Sequence, residues 1–511
     1  MSIERWGLVR GGVMVDWLVD LSDEELFGNE MAEDEEERLF TSYAYERPEF
    51  QAFLNPATKL KVVRAYKGEG KSALLRWTFL KLREFKNVIT HSAYANSLVP
   101  NLADASEAEC IRLWKESFIR VAAAAVGARL DFKFSDDVLS LREDAERGGF
   151  VERGFVAAVL ARLRKLPGEP GGVGAADPAA ALQRIAGAND LQIWLVVDDL
   201  DENFRDVEPD CLKVMSALVA MRQLCNEVRE LRFRASVRPS TWAIIKRRYE
   251  ALSKVEPYVV DLQWSREQLE QMLGARVKSY LSRNNGPAVA SGRIASMSAQ
   301  QFVAVAFDDP MPWGKKEIDK GLHVDDRHAD KKRAPAVVIS TLARYRPRWM
   351  VELCKLAASN AIKRRQQKIG LDDLTVKLED FGRTRIDDLI AEFRAQCDKI
   401  ELMIQSFKGK PERFRTDELV RHMKNNLSGR DVRIAGISGK PSEVEMIRFL
   451  FQIGFITARR ELSSGEYRHY SFFDEPTLLS DGTNDLGASW EIPSCFRQAL
   501  QLSNAARRMP R

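Results

Sequence analysis

Residues 60–77 constrain this chain more tightly than any other stretch. Residues 60–63 are apolar apart from Lys61 and have the character of a strand. Ala65-Tyr66-Lys67-Gly68-Glu69-Gly70-Lys71-Ser72 follows as a glycine-bearing loop, and Ala73-Leu74-Leu75-Arg76-Trp77 opens a helix. A strand, a loop ending in Lys-Ser and a helix together form a phosphate cradle. The two glycines let the backbone bend so that successive N–H groups face one anion. The helix N-terminus adds partial positive charge at the same point. Gly68, Glu69, Gly70 and Ala73 would line the cradle. Lys71 would reach the β- and γ-phosphates, and Ser72 would offer its hydroxyl to magnesium. Ala65 stands where the usual G-x-x-x-x-G-K-[ST] pattern has its first glycine. A plain surface loop between a strand and a helix therefore stays open as the bland alternative.

A second stretch strengthens the first. Leu191-Gln192-Ile193-Trp194-Leu195-Val196-Val197 is almost continuously apolar, as a strand buried on both faces should be. It ends in Asp198-Asp199-Leu200-Asp201-Glu202. A buried strand that delivers carboxylates at its C-terminal end is what magnesium needs beside a phosphate cradle. Asp198 would hold the ion through water. The bland alternative is a buried strand followed by an acidic turn.

The Gly-Glu-Gly-Lys-Ser loop and the Val-Val-Asp-Asp-Leu-Asp strand resemble P-loop ATPases of the AAA+ and STAND type. They look most similar to bacterial proteins related to origin-recognition ATPases, several of which occur in phage-defence loci. Three further stretches extend the resemblance across residues 20–475. Leu231-Arg232-Phe233-Arg234-Ala235-Ser236-Val237-Arg238-Pro239 resembles the next core strand, with Arg238 at a sensor position. Arg346-Pro347-Arg348-Trp349 resembles the sensor-2 arginine segment of a helical lid, and Phe27-Gly28-Asn29 resembles an N-terminal signature of the same proteins. The resemblance implies an α/β fold: a P-loop NTPase core with a parallel sheet, followed by a helical lid and a C-terminal winged-helix domain. It implies ATP and Mg2+, with Lys71, Asp198, Asp199 and Arg238 as catalytic residues and Ser72 and Asp198 at the metal. Asp199 stands where hydrolysing relatives place a glutamate to orient the attacking water, and it is one methylene shorter. Asn29 would approach the adenine end of the nucleotide; a turn between helices is the alternative there. Arg346 or Arg348 would close onto the γ-phosphate; a basic helix start is the alternative.

Composition sets the outer limits. The 511 residues allow about three domains. With 45% hydrophobic and 30% charged residues the chain is globular, and a net charge of +4 is too small to argue for nucleic acid by itself. Six cysteines without C-x-x-C spacing and five scattered histidines suggest no zinc site and a reducing compartment. No apolar run approaches the ~18 residues of a membrane span, and the first 20 residues lack the apolar stretch of a signal peptide. A cytoplasmic protein is expected, with no membrane partner. The expected boundaries are a helical segment at 1–53, the core at 54–262, the lid at 263–375, the winged helix at 376–480 and a weakly ordered tail at 481–511.

Within the core, Ser106 and Glu109 have the spacing of a capping box and open a long helix. Residues 131–165 look helical, and 167–176 is a proline- and glycine-rich loop. Residues 231–254 carry seven basic residues: Arg232, Arg234, Arg238, Lys246, Arg247, Arg248 and Lys254. They suggest either a solvated face or, at Arg247 or Arg248, an arginine finger acting on a neighbouring subunit. Ser265 and Thr416 look like helix caps. Residues 456–461 and 467–472, joined through Leu462-Ser463-Ser464-Gly465, make a hairpin wing bearing Arg459, Arg460, Arg468 and His469, suited to DNA backbone contact. The helix before it is apolar at Met446, Ile447, Phe449, Leu450 and Phe451, where a groove-reading helix should be polar. DNA and protein docking both stay open.

Two functions fit these residues. The first is an ATP-driven switch: nucleotide and magnesium bind between core and lid, and lid closure reaches the winged helix. It would act as a homo-oligomer on duplex DNA or through a separate effector protein, in defence against phage or mobile DNA. The second is a nucleotide-stabilised DNA-binding or scaffold protein with negligible turnover. A small-molecule kinase fits less well, because a winged helix has no place in it.

Overall fold

The computed structural model describes residues 19–129, 190–284, 294–312, 332–461, 467–472, 474–480 and 487–503, together with 179, 182–183, 186–187, 292 and 485. The expected helices at 131–165, the loop at 167–176 and the wing turn at 462–465 fall outside these residues. The chain divides into two compact units: Met1–Tyr45 with Gly68–Gly70 and Gln263–Arg511, and Glu46–Lys67 with Lys71–Leu262.

The second of these units is a parallel α/β layer structure. Its strands are β1 (Leu60–Arg64), β2 (Val88–Tyr94), β3 (Gln192–Asp198), β4 (Leu231–Val237) and β5 (Val259–Asp261). They form one sheet in the order β2-β3-β4-β1-β5, and every pairing is parallel. Period-two alternation sends successive β3 side chains to opposite faces. Ile193, Leu195 and Val197 join a core built with helices Glu107–Arg129 and Glu208–Glu227, while Trp194 packs with Leu82 and Val88 on the other face. Both faces are covered, which is why β3 is buried from Ile193 to Asp198. The cap at Ser106 forms, its hydroxyl accepting from the Glu109 N–H at 3.3 Å.

The basic run 231–254 is not one solvated face. Arg234 is buried in β4, stacked 4.3 Å from the Trp194 ring and bonded to backbone carbonyls. Arg232 donates to Pro56 O and Glu230 O. Arg248 pairs with Asp206 at 2.6 Å, and Lys246 pairs with Glu256. Arg247 is exposed and makes no ion pair among the described residues.

The other unit holds helices Arg266–Asn284, Ala299–Ala306, Pro335–Leu342, Pro347–Lys363, Leu371–Val376 and Leu378–Phe393, followed by a smaller α/β module. Ser265 caps the first helix as expected, accepting from the Gln268 N–H at 3.2 Å. Met311 and Arg333 are joined by a pair of backbone hydrogen bonds at 2.9 and 3.1 Å.

The smaller module runs helix Ile400–Gln405, β6 (Arg413–Phe414), helices Thr416–Leu427 and Glu443–Gln452, then the hairpin of β7 (Thr457–Glu461) and β8 (Tyr467–Tyr470). This helix–strand–helix–helix–hairpin order is a winged helix. A further strand, β9 (Ser489–Glu491), lies between β6 and β7. Part of the expected tail is therefore the sheet's interior: Trp490 is fully buried and packs 5.2 Å from the Phe451 ring. Thr416 is the first helical residue rather than the cap, because its hydroxyl is engaged with Asp485 and the Trp490 indole N–H. Met446, Ile447, Phe449, Leu450 and Phe451 of helix Glu443–Gln452 are all buried and belong to the core, while Val444 is exposed.

Candidate functional site

The phosphate loop has the geometry its residues demand. Gly68 and Gly70 sit at φ +85° and +94°, the left-handed region that only glycine enters freely. The helix begins at Lys71, whose side chain is buried and donates from Nζ to the Ala65 carbonyl at 3.0 Å. Among the described residues this buried ammonium has one hydrogen bond, and a buried charge is costly without a counter-charge. Ser72 and Ala73 form the first turn beside it. Ala65, the departure from the usual pattern, is fully buried, with its N–H on the Val237 carbonyl.

The loop tip, Gly68–Gly70, belongs to the helical unit and is gripped within it. The Arg348 N–H donates to Gly68 O at 3.2 Å, and the Trp264 indole donates to Glu69 O at 2.7 Å. Arg346 is buried at the N-terminus of helix Pro347–Lys363 and stacks 4.3 Å from the Trp349 ring. Of the two expected γ-phosphate arginines, Arg348 touches the loop through its backbone, and Arg346 lies on Trp349.

At the end of β3, Asp198 is buried and its Oδ1 is doubly engaged. The Ser236 hydroxyl of β4 donates to it, and the Asp199 N–H donates at 2.9 Å. Oδ2 makes no hydrogen bond among the described residues. Asp199 itself takes φ +53°, unusual for a residue with a side chain. Burial, then the neighbouring Asp198, raises its carboxyl to about 6, against the opposing pull of Lys71 and Arg238. Lys71, Asp198, Asp199 and Arg238 thus share one electrostatic environment at the C-terminal ends of the strands, where open parallel sheets bind ligands. Sequence reasoning assigned no role to Ser236 or Asp201. Ser236 is hidden in an apolar-looking strand, and only its register places it beside Val63 and opposite Asp198. Asp201 is fully buried and accepts from the Arg238 N–H at 2.8 Å.

The residues fit a magnesium–nucleotide pair. Among the described residues no group of three His, Cys, Asp or Glu could hold a metal alone. One carboxylate plus one hydroxyl is the donor set expected when phosphates and water supply the rest.

Asn29 lies in a tightly built turn. Gly28 has φ +65°, and a Cβ there would come within 2.8 Å of Arg276 and Glu35. Tyr43 donates to Glu35 at 2.7 Å, and Arg276 donates to the carbonyls of Phe27 and Asn29. The Asn29 side chain accepts from the Met31 N–H at 3.1 Å.

The expected wing cations divide. Arg459 is buried against Glu491, and Arg460 pairs with Glu475 at 2.5 Å. His469 also contacts Glu491, at 3.1 Å. Arg468 is exposed, its guanidinium 5.3 Å from the Tyr470 ring.

No family model matches the chain, and no curated protein matches it. Among solved structures, the ORC2 protein of Aeropyrum pernix in its ADPNP-ADP complexes is similar at a TM-score of 0.41 and 10% identity, over 90% of this chain and 95% of that one. Cdc6p from Pyrobaculum aerophilum is similar at 0.29 and 12% identity, over 94% and 96%. Drosophila ORC bound to DNA is similar at 0.28 and 12% identity, over 88% and 91%. At such scores these likenesses carry no argument about activity.

Proposed function

We propose that this chain is an ATP-binding switch that hydrolyses ATP with Mg2+ and passes its nucleotide state to the winged helix. The observation that supports the reading is the shared electrostatic environment of Lys71, Asp198, Asp199 and Arg238, with Lys71 following two glycines that take left-handed backbone. Lys71 would neutralise the β- and γ-phosphates, and Arg238 would add a second positive charge near Asp199. Ser72 and the free Oδ2 of Asp198 would hold magnesium, which when bound offsets the phosphate charge. Asp199, largely ionised at neutral pH, would orient the attacking water and accept its proton.

Within the helical unit a packed route leads away from the loop tip. Arg348 holds Gly68, Trp349 packs on Phe381 and Phe496, and Arg344 donates to Gly454 O at the base of the wing hairpin. Phe496 lies in the short helix Ser494–Arg497 after β9 and stacks on Phe455. We assign the output to duplex DNA, with Arg468 as a phosphate contact, or to a separate effector protein. Arg247, exposed and with no ion pair among the described residues, suits a finger reaching a second copy in a homo-oligomer. The sequence resemblance suggests defence against phage or mobile DNA as the setting.

ATP hydrolysis with and without duplex DNA, for wild type and Lys71→Ala, tests the reading. Lys71→Ala should lower turnover by at least about a hundredfold. Stimulation by DNA would identify DNA as the output, and Lys71-dependent turnover indifferent to DNA would point to the protein effector. Turnover unchanged in Lys71→Ala would refute the site. A second reading, a nucleotide-stabilised scaffold, draws on the burial and shortness of Asp199. Tight ATP binding without turnover in the wild type would establish it.

A further inference from the structure

The phosphate chemistry makes no use of Asp201, yet Asp201 is the most deeply buried carboxylate of the acidic turn. One of its oxygens accepts from the Arg238 N–H, and the other has no hydrogen-bond partner among the described residues. A buried carboxylate with a single bond is costly to keep. The turn is shaped to present it: Asp199 and Asn203 take φ +53° and +58°. The Glu202 and Phe204 N–H groups close back on the carbonyls of Asp199 and Asp201 at 3.1 and 3.2 Å.

Arg238 stands between β4 and helix Pro239–Arg248, where the extended strand becomes helix. Asp201 therefore grips the backbone at the point that aims the Arg238 side chain. Ser236, two residues earlier, already ties β4 to the same turn through Asp198 and the Asp199 N–H. Two rungs thus lock the end of β3 to the end of β4.

We propose that Asp201 is a positioning residue: its carboxylate fixes the Arg238 backbone and so holds the guanidinium where it acts on Asp199 and the bound phosphates. This rests on the ATPase reading above. Asp201 touches no reacting group and acts through its bond to the Arg238 backbone; its charge also bears on the Asp199 carboxyl, and Asp201→Asn, which removes the charge and keeps the bond, separates the two.

The test is a double-mutant cycle on the full chain: Asp201→Ala, Arg238→Ala and the two together, with Asp201→Asn beside them. Asn keeps an oxygen for the Arg238 N–H and should hold kcat within about threefold, whereas Ala should lower kcat about tenfold with KM for ATP moved less than about twofold. In the Arg238→Ala background, Asp201→Ala should cost nothing further. Additive losses, or an Asn variant as damaged as the Ala variant, would overturn the proposal. If Asp201→Ala does not fold, Asp201→Ser, whose hydroxyl is too short to reach, runs the same cycle. If the wild type shows no turnover, the ATPase reading falls. The cycle is then read as the ratio of ATP to ADP affinity with fluorescent nucleotides, where non-additivity supports the positioning role and additivity rejects it.

Discussion

Five backbone carbonyls converge on the Arg234 guanidinium: Phe53, Asn55, Thr58, Lys59 and Phe233, at 2.6–3.4 Å. Burial pushes this group down to about 9, so it keeps its charge at neutral pH. Four of these carbonyls lie in the segment leading into β1, where Lys59 O and Asn55 O also accept from the N–H groups of Phe233 and Thr58. Arg234→Ala would strip one donor from each of these carbonyls and open a cavity, costing at least about 3 kcal/mol. Arg234→Lys should rescue little, because one ammonium cannot reach the whole fan; chemical denaturation of both variants checks this. His422 offers a pH test. Burial, helped by Lys410, lowers its pKa from 6.5 to about 4, and its ring nitrogens meet Ser406 at 2.9 Å and Asn426 at 3.2 Å. Between those pH values the unfolded chain takes up a proton that the folded one refuses. Stability should therefore fall as pH drops through this window and be unaffected above it. Denaturation midpoints of wild type and His422→Gln should converge at acid pH; parallel curves would reject the assignment.

At the scale of elements, β9 decides whether the winged helix stands. It is the inner partner of both β6 and β7, and its Glu491 receives Arg459, Arg497 and His469. These contacts hold the Glu491 carboxyl well below the usual range despite burial. Removing residues 487–511 would leave Phe451 and Phe414 without Trp490 and take the Glu491 carboxylate from the buried Arg459. The truncated chain should lose the cooperative unfolding of this module, read by differential scanning calorimetry, while nucleotide binding persists. The turn at residues 344–345 is a second decisive element. Arg344 and Tyr345 both take positive φ, +52° and +56°, between helices Pro335–Leu342 and Pro347–Lys363. Such backbone persists only where its surroundings over-determine it. Here Arg344 is held at Gly454 and over the Phe496 ring.

At the scale of the whole molecule the question is what the nucleotide changes. Phe496→Leu should leave turnover within about twofold while reducing the nucleotide dependence of DNA or effector affinity severalfold. Fluorescence anisotropy in ATP and ADP would show it, and an unchanged ratio would break the proposed route. Turnover per chain that does not change on dilution, in wild type and Arg247→Ala alike, would remove the finger and the oligomer with it.

The sequence by itself determined the local devices. A strand, two glycines in left-handed backbone and a helix that starts at Lys71 follow from neighbouring residues, because the backbone conformation and the helix start are local. A continuous apolar run ending in Asp198 is equally local, and it predicted a strand buried on both faces. Only the tertiary structure decided which charges are free. Arg234, Arg459 and Arg460 read as surface cations beside Arg247 and Arg468. Their partners are carbonyls and carboxylates up to 181 residues away in sequence. Trp490 lies in a strand of three residues, too short for any alternation to show, and its burial comes from strands that precede it by more than 30 residues. Asp201 and Ser236 looked like an acidic turn and a strand residue until register brought β3 and β4 together. Local conformation is written in neighbouring residues; burial and pairing depend on what the rest of the chain brings alongside.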